Sequence, residues 1–266
     1  MNMSNSTRIA VLGKTGVGKS SLANTIFGEQ RFKIGHTVNS ETIECQAETA
    51  PVNGGNITLI ETPGFSEEEL KSEIVRCITE CAPGPHAFLI VLKVERFTEQ
   101  EQAVVTKIDQ YFSEEVFQYA TVVFTHGDQL PEGQTIKEFI RNEKLVCDLV
   151  TKCGGRCHVV DNKYWKNNQQ DEYRNNQVQV KELLQTIDKM VEENEGRCYT
   201  NEMLQAVEER IRQEEKLIKQ TAGNMSAIEI REEDRVGASE GLLSSLAGMA
   251  SFALESVRTW WRGFWE

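Results

Sequence analysis

A chain of 266 residues, 39% apolar and 26% charged, is long enough to bury a sizeable core, as one large domain or as one domain plus an appendage. Its formal charge of −12 repels polyphosphate backbones at long range and so excludes nucleic acid as an expected partner. A single nucleotide stays open, because local N–H groups and one Lys can hold it against the global field.

Met1–Thr7 is polar, lacks the apolar run of a signal peptide and is read as disordered. Ile9–Leu12 is a short apolar strand. A Gly-rich loop follows, and Ser20–Phe27 opens a helix. Ile43–Thr49 and Ile57–Glu61 read as a hairpin joined by Asn53-Gly54-Gly55-Asn56. Asn56-Ile57-Thr58 is a formal glycosylation sequon, set aside because its strand is expected to be buried. Glu67–Glu80 is an amphipathic helix. Ala87–Leu92, AFLIVL, is too uniformly apolar for a half-exposed sheet and predicts a central strand. Thr98–Phe112 predicts a helix capped by Thr98, with Glu101 completing a capping box. Ala120–Thr125 is the next buried strand, 135–151 is helical, Cys157–Val160 is a strand and Val178–Asn194 is a helix ending near Gly196. This alternation predicts an α/β fold, a mostly parallel sheet with helices on both faces and one antiparallel edge from the hairpin.

Beyond Thr200 the composition changes. Residues 201–236 are rich in Glu, Lys, Arg and Gln and predict a charged helical extension. Residues 237–266 form an apolar, aromatic tail. The cysteines, seven in number, have no framework spacing and read as buried thiols. Cys77/Cys81 and Cys153-x3-Cys157-His158 are the metal alternatives, but both fall short of the four closely spaced ligands of a structural zinc site.

Gly13-Lys14-Thr15-Gly16-Val17-Gly18-Lys19-Ser20 matches G-x-x-x-x-G-K-[ST] between a strand and a helix. Glycines let the backbone wrap phosphate with N–H groups turned inward. Lys19 reaches the β- and γ-phosphates, and the Ser20 hydroxyl binds Mg²⁺. Ser21 completes this set. The buried strand at 120–125 ends in Thr125-His126-Gly127-Asp128, which fits the guanine-reading [NT]-K-x-D with His for Lys. Asp128 would accept from guanine N1–H and N2–H₂, donors that adenine does not offer there. His126 would lay its ring over the base. Glu61-Thr62-Pro63-Gly64 stands where Asp-x-x-Gly is usual: Gly64 senses the γ-phosphate, and Glu61 either meets the metal's water or, with its extra methylene, points elsewhere. Thr37, Thr42 and Ser40 are candidates for a switch hydroxyl that closes over Mg²⁺.

GKTGVGKSSLANTIFG, ETPGF, GPHAFLIVL-x3-RFT-x2-E, FTHGDQL and QVKELLQTIDKMVEENEG-x2-Y together resemble the GTPase IMAP family, the immunity-associated nucleotide-binding proteins, over roughly residues 8–200. Septins and the chloroplast envelope import GTPases are relatives. The resemblance implies a Ras-like G domain with an added C-terminal helix. It also implies GTP/GDP and Mg²⁺ as ligands, self-association or association with other IMAP GTPases, and residence on the cytosolic face of an intracellular membrane. It favours Thr42 as the switch residue, through Ser40-x-Thr42-x2-Cys45, and places Asn162 at the base. Glu61 for Asp and His126 for Arg are departures from the family pattern.

Phe65 and Ser66 follow Gly64 where Ras-type enzymes carry a water-orienting Gln, so a lone subunit is expected to hydrolyse GTP slowly. Arg96, after the central strand, is the candidate finger supplied by a second copy, with Lys19 acting in the same subunit. The alternative is a GTP-binding scaffold that polymerises with negligible hydrolysis; an ATP-using enzyme is disfavoured by Asp128. In the tail, Leu242, Leu246, Met249, Ala253, Val257, Trp260 and Phe264 share one helical stripe. Its uncharged run, Gly241 to Leu254, falls short of the about 20 residues a bilayer core requires. A helix lying on a membrane surface is expected, and docking back onto the G domain is the alternative.

Overall fold

The structure is a computed structural model that describes residues 6–34, 45–62, 81, 83–141, 143–166, 171–200, 204, 205, 209 and 212. The expected helix Glu67–Glu80, the charged extension (but for four residues) and the aromatic tail lie outside the described residues. No helix among the described residues is long and apolar enough to cross a membrane.

Six strands form one sheet in the order β2-β3-β1-β4-β5-β6: β1 Thr7–Leu12, β2 Gln46–Val52, β3 Gly55–Glu61, β4 Ala87–Lys93, β5 Ala120–Thr125 and β6 Cys157–Val159. All neighbours pair in parallel except the edge pair β2/β3. Asn53 and Gly54 both take positive φ, 49° and 88°, as a two-residue hairpin turn of matching twist requires. Pro51, which lacks an N–H, is tolerated because β2 is the edge strand. Asn56, expected in a buried strand, is exposed at the start of β3; burial begins at Ile57. β1 begins two residues earlier than Ile9, and Ser6 Oγ and Thr58 Oγ1 hydrogen-bond at 2.7 Å.

The helices are α1 Lys19–Phe27, α2 Glu99–Phe112, α3 Ile136–Ile140, α4 Lys144–Lys152 and α5 Asn176–Glu193. They divide over the two faces of the sheet. Alternate residues of β4 show this: Phe88 and Ile90 pack with Val104, Phe117, Leu149 and Tyr199, while Leu89 and Val91 pack with Leu22, Ile26, Leu183 and Ile187. The expected helix over 135–151 is two helices. Ile136 and Ile140 fall on one stripe, and Val146 and Leu149 would leave it in a continuous helix. The break lets all four be buried.

At the N-terminal end of the strands, the chain after α5 returns across the start of β4. Tyr199 N donates to Pro85 O at 2.8 Å, and a Cβ at Gly84 would stand 1.8 Å from Tyr199 O. Buried Tyr199 meets Phe88 and Tyr119 edge-on. Burial pushes the Cys153 thiol up to about 12 and raises Cys157, as inert core thiols require. His158 Nε2 pairs with Thr186 Oγ1, and no cluster of metal-binding side chains occurs among the described residues.

Candidate functional site

The C-terminal ends of β1, β3, β4, β5 and β6 and the loops that follow gather the predicted residues that are described on one edge of the sheet. Val17, 1% exposed, anchors the phosphate-type loop in the core. A Cβ at Gly13 would stand 2.7 Å from Val91 O, so the loop leaves β1 through the one residue that fits. Gly16 and Gly18 take left-handed φ of 78° and 91°, the kind of backbone that turns successive N–H groups to one side. α1 begins directly after Gly18. The Lys19 ammonium curls over the loop and donates to Gly13 O at 3.0 Å and Lys14 O at 3.2 Å. Thr15 and Gly16 form the exposed crest, and Ser21 is half-buried in the first turn of α1.

The Ser20 hydroxyl donates to Glu61 Oε1 at 2.7 Å. Glu61, 1% exposed, therefore points to the loop rather than away from it. A hydroxyl and a carboxylate converging at this distance are hard oxygen donors and fit Mg²⁺. Thr62 ties the end of β3 to β1, its N–H and hydroxyl both donating to Val11 O. Thr37, Ser40, Thr42 and Gly64 lie outside the described residues.

On the other flank, the buried Thr125 hydroxyl donates to Val17 O at 2.6 Å and contacts Leu92 O at 3.3 Å. His126 stands in the left-handed region at φ 58°, with Nδ1 3.0 Å from Thr125 Oγ1. Gly127 N donates to Val160 O, and a Cβ at Gly127 would meet the Trp165 ring at 2.5 Å. Asp128 then projects to solvent from a short 3-10 turn, Gly127–Gln129. Asn162 accepts from Thr25 Oγ1 at 2.9 Å, and its amide nitrogen lies 3.3 Å from where a Gly18 Cβ would be, so it bridges α1 and the loop.

Arg96 is exposed, in an open cleft lined with Lys14, Glu95, Thr98 and Glu99. Lys14 ion-pairs with Glu101, whose carboxylate also accepts from Thr98 N at 3.0 Å. The expected capping box thus also ties the phosphate-type loop to the Arg96 segment. Sequence reasoning missed this link, along with the Thr125 bond, the Trp165 wall and Asp161, a buried carboxylate that accepts from Lys163 N and Tyr164 N. An Asp in front of Asn162 at a strand end was the only signal for the last.

A family model described as the AIG1 family matches residues 7–219. Immune-associated nucleotide-binding protein 10 of Arabidopsis thaliana is 32% identical over 224 residues, covering 79% of this chain and 47% of its own length. Immune-associated nucleotide-binding protein 8 of the same plant is 34% identical over 211 residues, covering 76% and 58%. The chain thus spans about half the length of these relatives. Among solved structures, Toc33 from Arabidopsis thaliana in complex with Mg²⁺ and GMPPNP superposes with a TM-score of 0.55 at 22% identity, covering 71% of this chain and 85% of that one. A chain from the work on dimerization and the GTPase activity of atToc33 and psToc159 gives a TM-score of 0.56 at 23% identity, covering 70% and 83%. The fold is that of these G domains.

Proposed function

The chain belongs to the AIG1 family, and on that premise we propose that it is a guanine-nucleotide switch that hydrolyses GTP slowly and faster as a dimer joined at the nucleotide face. The observation that carries this reading is the Thr125–Val17 hydrogen bond, which holds the turn bearing Asp128 against the phosphate-type loop. One ligand carrying both a base and a phosphate chain suits that arrangement. The loop N–H groups and Lys19 hold the phosphates, and Asp128 accepts from the base. Ser20, Glu61 and Thr42 would hold Mg²⁺, which when bound neutralises charge on the phosphates. Gly64 would sense the γ-phosphate, and Asn162 would flank the base.

Within the subunit, Lys19 balances charge on the transferred phosphoryl group. Arg96, exposed on the same rim, would reach the phosphates of a second copy. Toc33 is the precedent for the arrangement: dimerization is described as important for its GTPase activity, and an Arg-to-Ala variant of it is described as dimerization-deficient. The test is GTPase rate per subunit against protein concentration. A rate that climbs with concentration supports the switch. A negligible rate at every concentration favours the polymerising scaffold, and equal competition by ATP overturns the guanine reading. The tail would hold the protein on the cytosolic face of a membrane. Liposome flotation of the full chain against one ending at Arg235 checks that, and equal flotation would overturn it.

A further inference from the structure

Gly127 lies between the two residues read as meeting the base, His126 and Asp128, and its backbone is fastened. Its N–H donates to Val160 O at 3.0 Å, and its carbonyl accepts from Leu130 N at 3.1 Å. The next N–H, that of Asp128, donates to Asp161 Oδ2 at 3.3 Å. The face where a side chain would stand is filled by Trp165, which is 3% exposed. A Cβ at Gly127 would lie 2.5, 2.7 and 2.9 Å from three carbons of the outer ring of the indole.

The indole is itself clamped. The Arg174 guanidinium lies over it, 5.9 Å from the ring centroid, and Tyr173 meets it at 6.4 Å and 60°. Arg174 Nη2 also donates to Leu130 O at 3.1 Å and to Pro131 O at 2.7 Å, where the chain leaves the turn. Tyr173 Oη accepts from Ile136 N at 2.8 Å, at the start of α3. Asn176 N, at the start of α5, donates to Trp165 O at 3.1 Å. One ring therefore braces the Asp128 turn against the starts of two helices. In a close-packed interior, a rigid ring against bare backbone sets where that backbone lies.

We infer that Trp165 is a positioning residue for guanine recognition: its indole, pressed on Gly127 and clamped by Arg174, fixes the Asp128 carboxylate so that it meets both guanine donors at once. The inference rests on the reading of Asp128 as the guanine acceptor. N1–H and N2–H₂ must both be met in line, and hydrogen bonds weaken steeply as they bend. A turn that settles elsewhere keeps one bond and loses the other, while the phosphate-type loop still holds the phosphates.

The experiment compares the affinities of the full chain for GDP and for inosine diphosphate, whose base keeps N1–H and lacks the 2-amino group. Ribose and diphosphate are common to both, so the ratio reads the second base bond. A hydrogen bond to a carboxylate is worth about tenfold or more, and wild type should prefer GDP by that factor. Gly127→Ala needs no left-handed backbone and adds one carbon against the ring. Trp165→Phe removes the outer ring that this carbon would strike. Each change alone should cut the GDP preference by more than about twofold, the scatter of independent changes. Together they should restore it, because the smaller ring makes room for the methyl group. A merely structural ring would lower the melting temperature and weaken both nucleotides equally. An unchanged ratio in either single variant overturns the inference, and so does a double variant no more selective than Gly127→Ala. Should these variants fail to fold, Arg174→Met, which leaves the indole in place and removes its clamp, decides by the same ratio. Asp128→Asn tests the underlying reading separately. If it leaves the preference for guanosine over xanthosine diphosphate unchanged, the base-site assignment fails and takes the inference with it.

Discussion

Ser20 Oγ donates to Glu61 Oε1 at 2.7 Å, so the longer acidic side chain at the end of β3 reaches the phosphate-type loop. Its reach follows from register: Glu61 pairs with Val11, one residue before β1 ends. Glu61→Gln keeps the size and removes the charge. The Mg²⁺ concentration needed to tighten GDP binding should rise about 10–100-fold, the usual cost of losing a supporting carboxylate. Magnesium titrations of nucleotide affinity check this, and an unchanged midpoint would remove Glu61 from the metal site. Glu61→Asp, one methylene shorter, should fall between the two.

Thr125→Val preserves shape and deletes one donor. The Val17 carbonyl, in a residue 1% exposed, then loses its 2.6 Å partner. Leaving such a group unsatisfied costs about 1–3 kcal/mol. We expect a lower denaturation midpoint and faster nucleotide dissociation, both restored by Thr125→Ser. A variant with wild-type dissociation would show that the two loops act independently.

How far the sequence spoke depends on whether each signal is local. β4 is apolar up to its last residue and β5 is broken only by Thr121 and Thr125, the pattern of strands covered on both faces, and both were legible. So was the loop of residues 13–20, whose chemistry lies in consecutive residues. The break after Ile140 was not, because it comes from the phase at which Val146 and Leu149 must meet a distant core. The direction of Glu61 depends on β1/β3 register, and the partnership of Asp161 with Asp128 on β6 lying beside β5. Neither can be read from spacing along the chain.

Gly84→Ala separates scaffold from site. The added Cβ would stand 1.8 Å from Tyr199 O, at a backbone φ of 148°. The segment carrying Tyr199 must shift and its edge-on contacts with Phe88 and Tyr119 suffer, at a cost of about 1–3 kcal/mol. This end of the sheet is opposite the loops, so GDP affinity should stay as in wild type while the melting temperature drops. A loss of affinity at full stability would contradict that separation.

Acid should weaken the fold through two histidines. His86, desolvated and facing Arg8, accepts from Arg8 N at 3.0 Å and is lowered to about 4. His158, desolvated and near Lys137, is also lowered to about 4. In the unfolded chain both return to about 6.5. Between those values the unfolded state binds more protons, so stability is complete above about pH 6.5 and falls as pH drops toward 4. Melting temperatures across that window should decline less steeply in a His86→Asn, His158→Gln double variant; equal slopes would assign the acid sensitivity to other groups.

Arg96 carries the boldest expectation. It follows β4 and is exposed beside Lys14, at the head of a helix whose first turn carries Glu99 and Glu101. A cation gains little from a helix N-terminus, so local electrostatics do not explain its placement. Glu101 grips both Lys14 and Thr98, which fixes the segment bearing Arg96 against the phosphate-type loop while leaving the guanidinium outward. A residue held that way can serve a facing subunit without disturbing its own. An Arg supplied in trans contributes on the order of 10³-fold or more to phosphoryl transfer. Arg96→Ala should therefore bind GTP as wild type does and lose the concentration-dependent part of hydrolysis. Mixing it with Lys19→Ala separates the roles: the Arg96→Ala subunit supplies an intact phosphate loop and the Lys19→Ala subunit supplies the arginine. Hydrolysis should return in the mixture above the sum of the two variants alone. Wild-type rates for Arg96→Ala at every concentration would rule the arginine out.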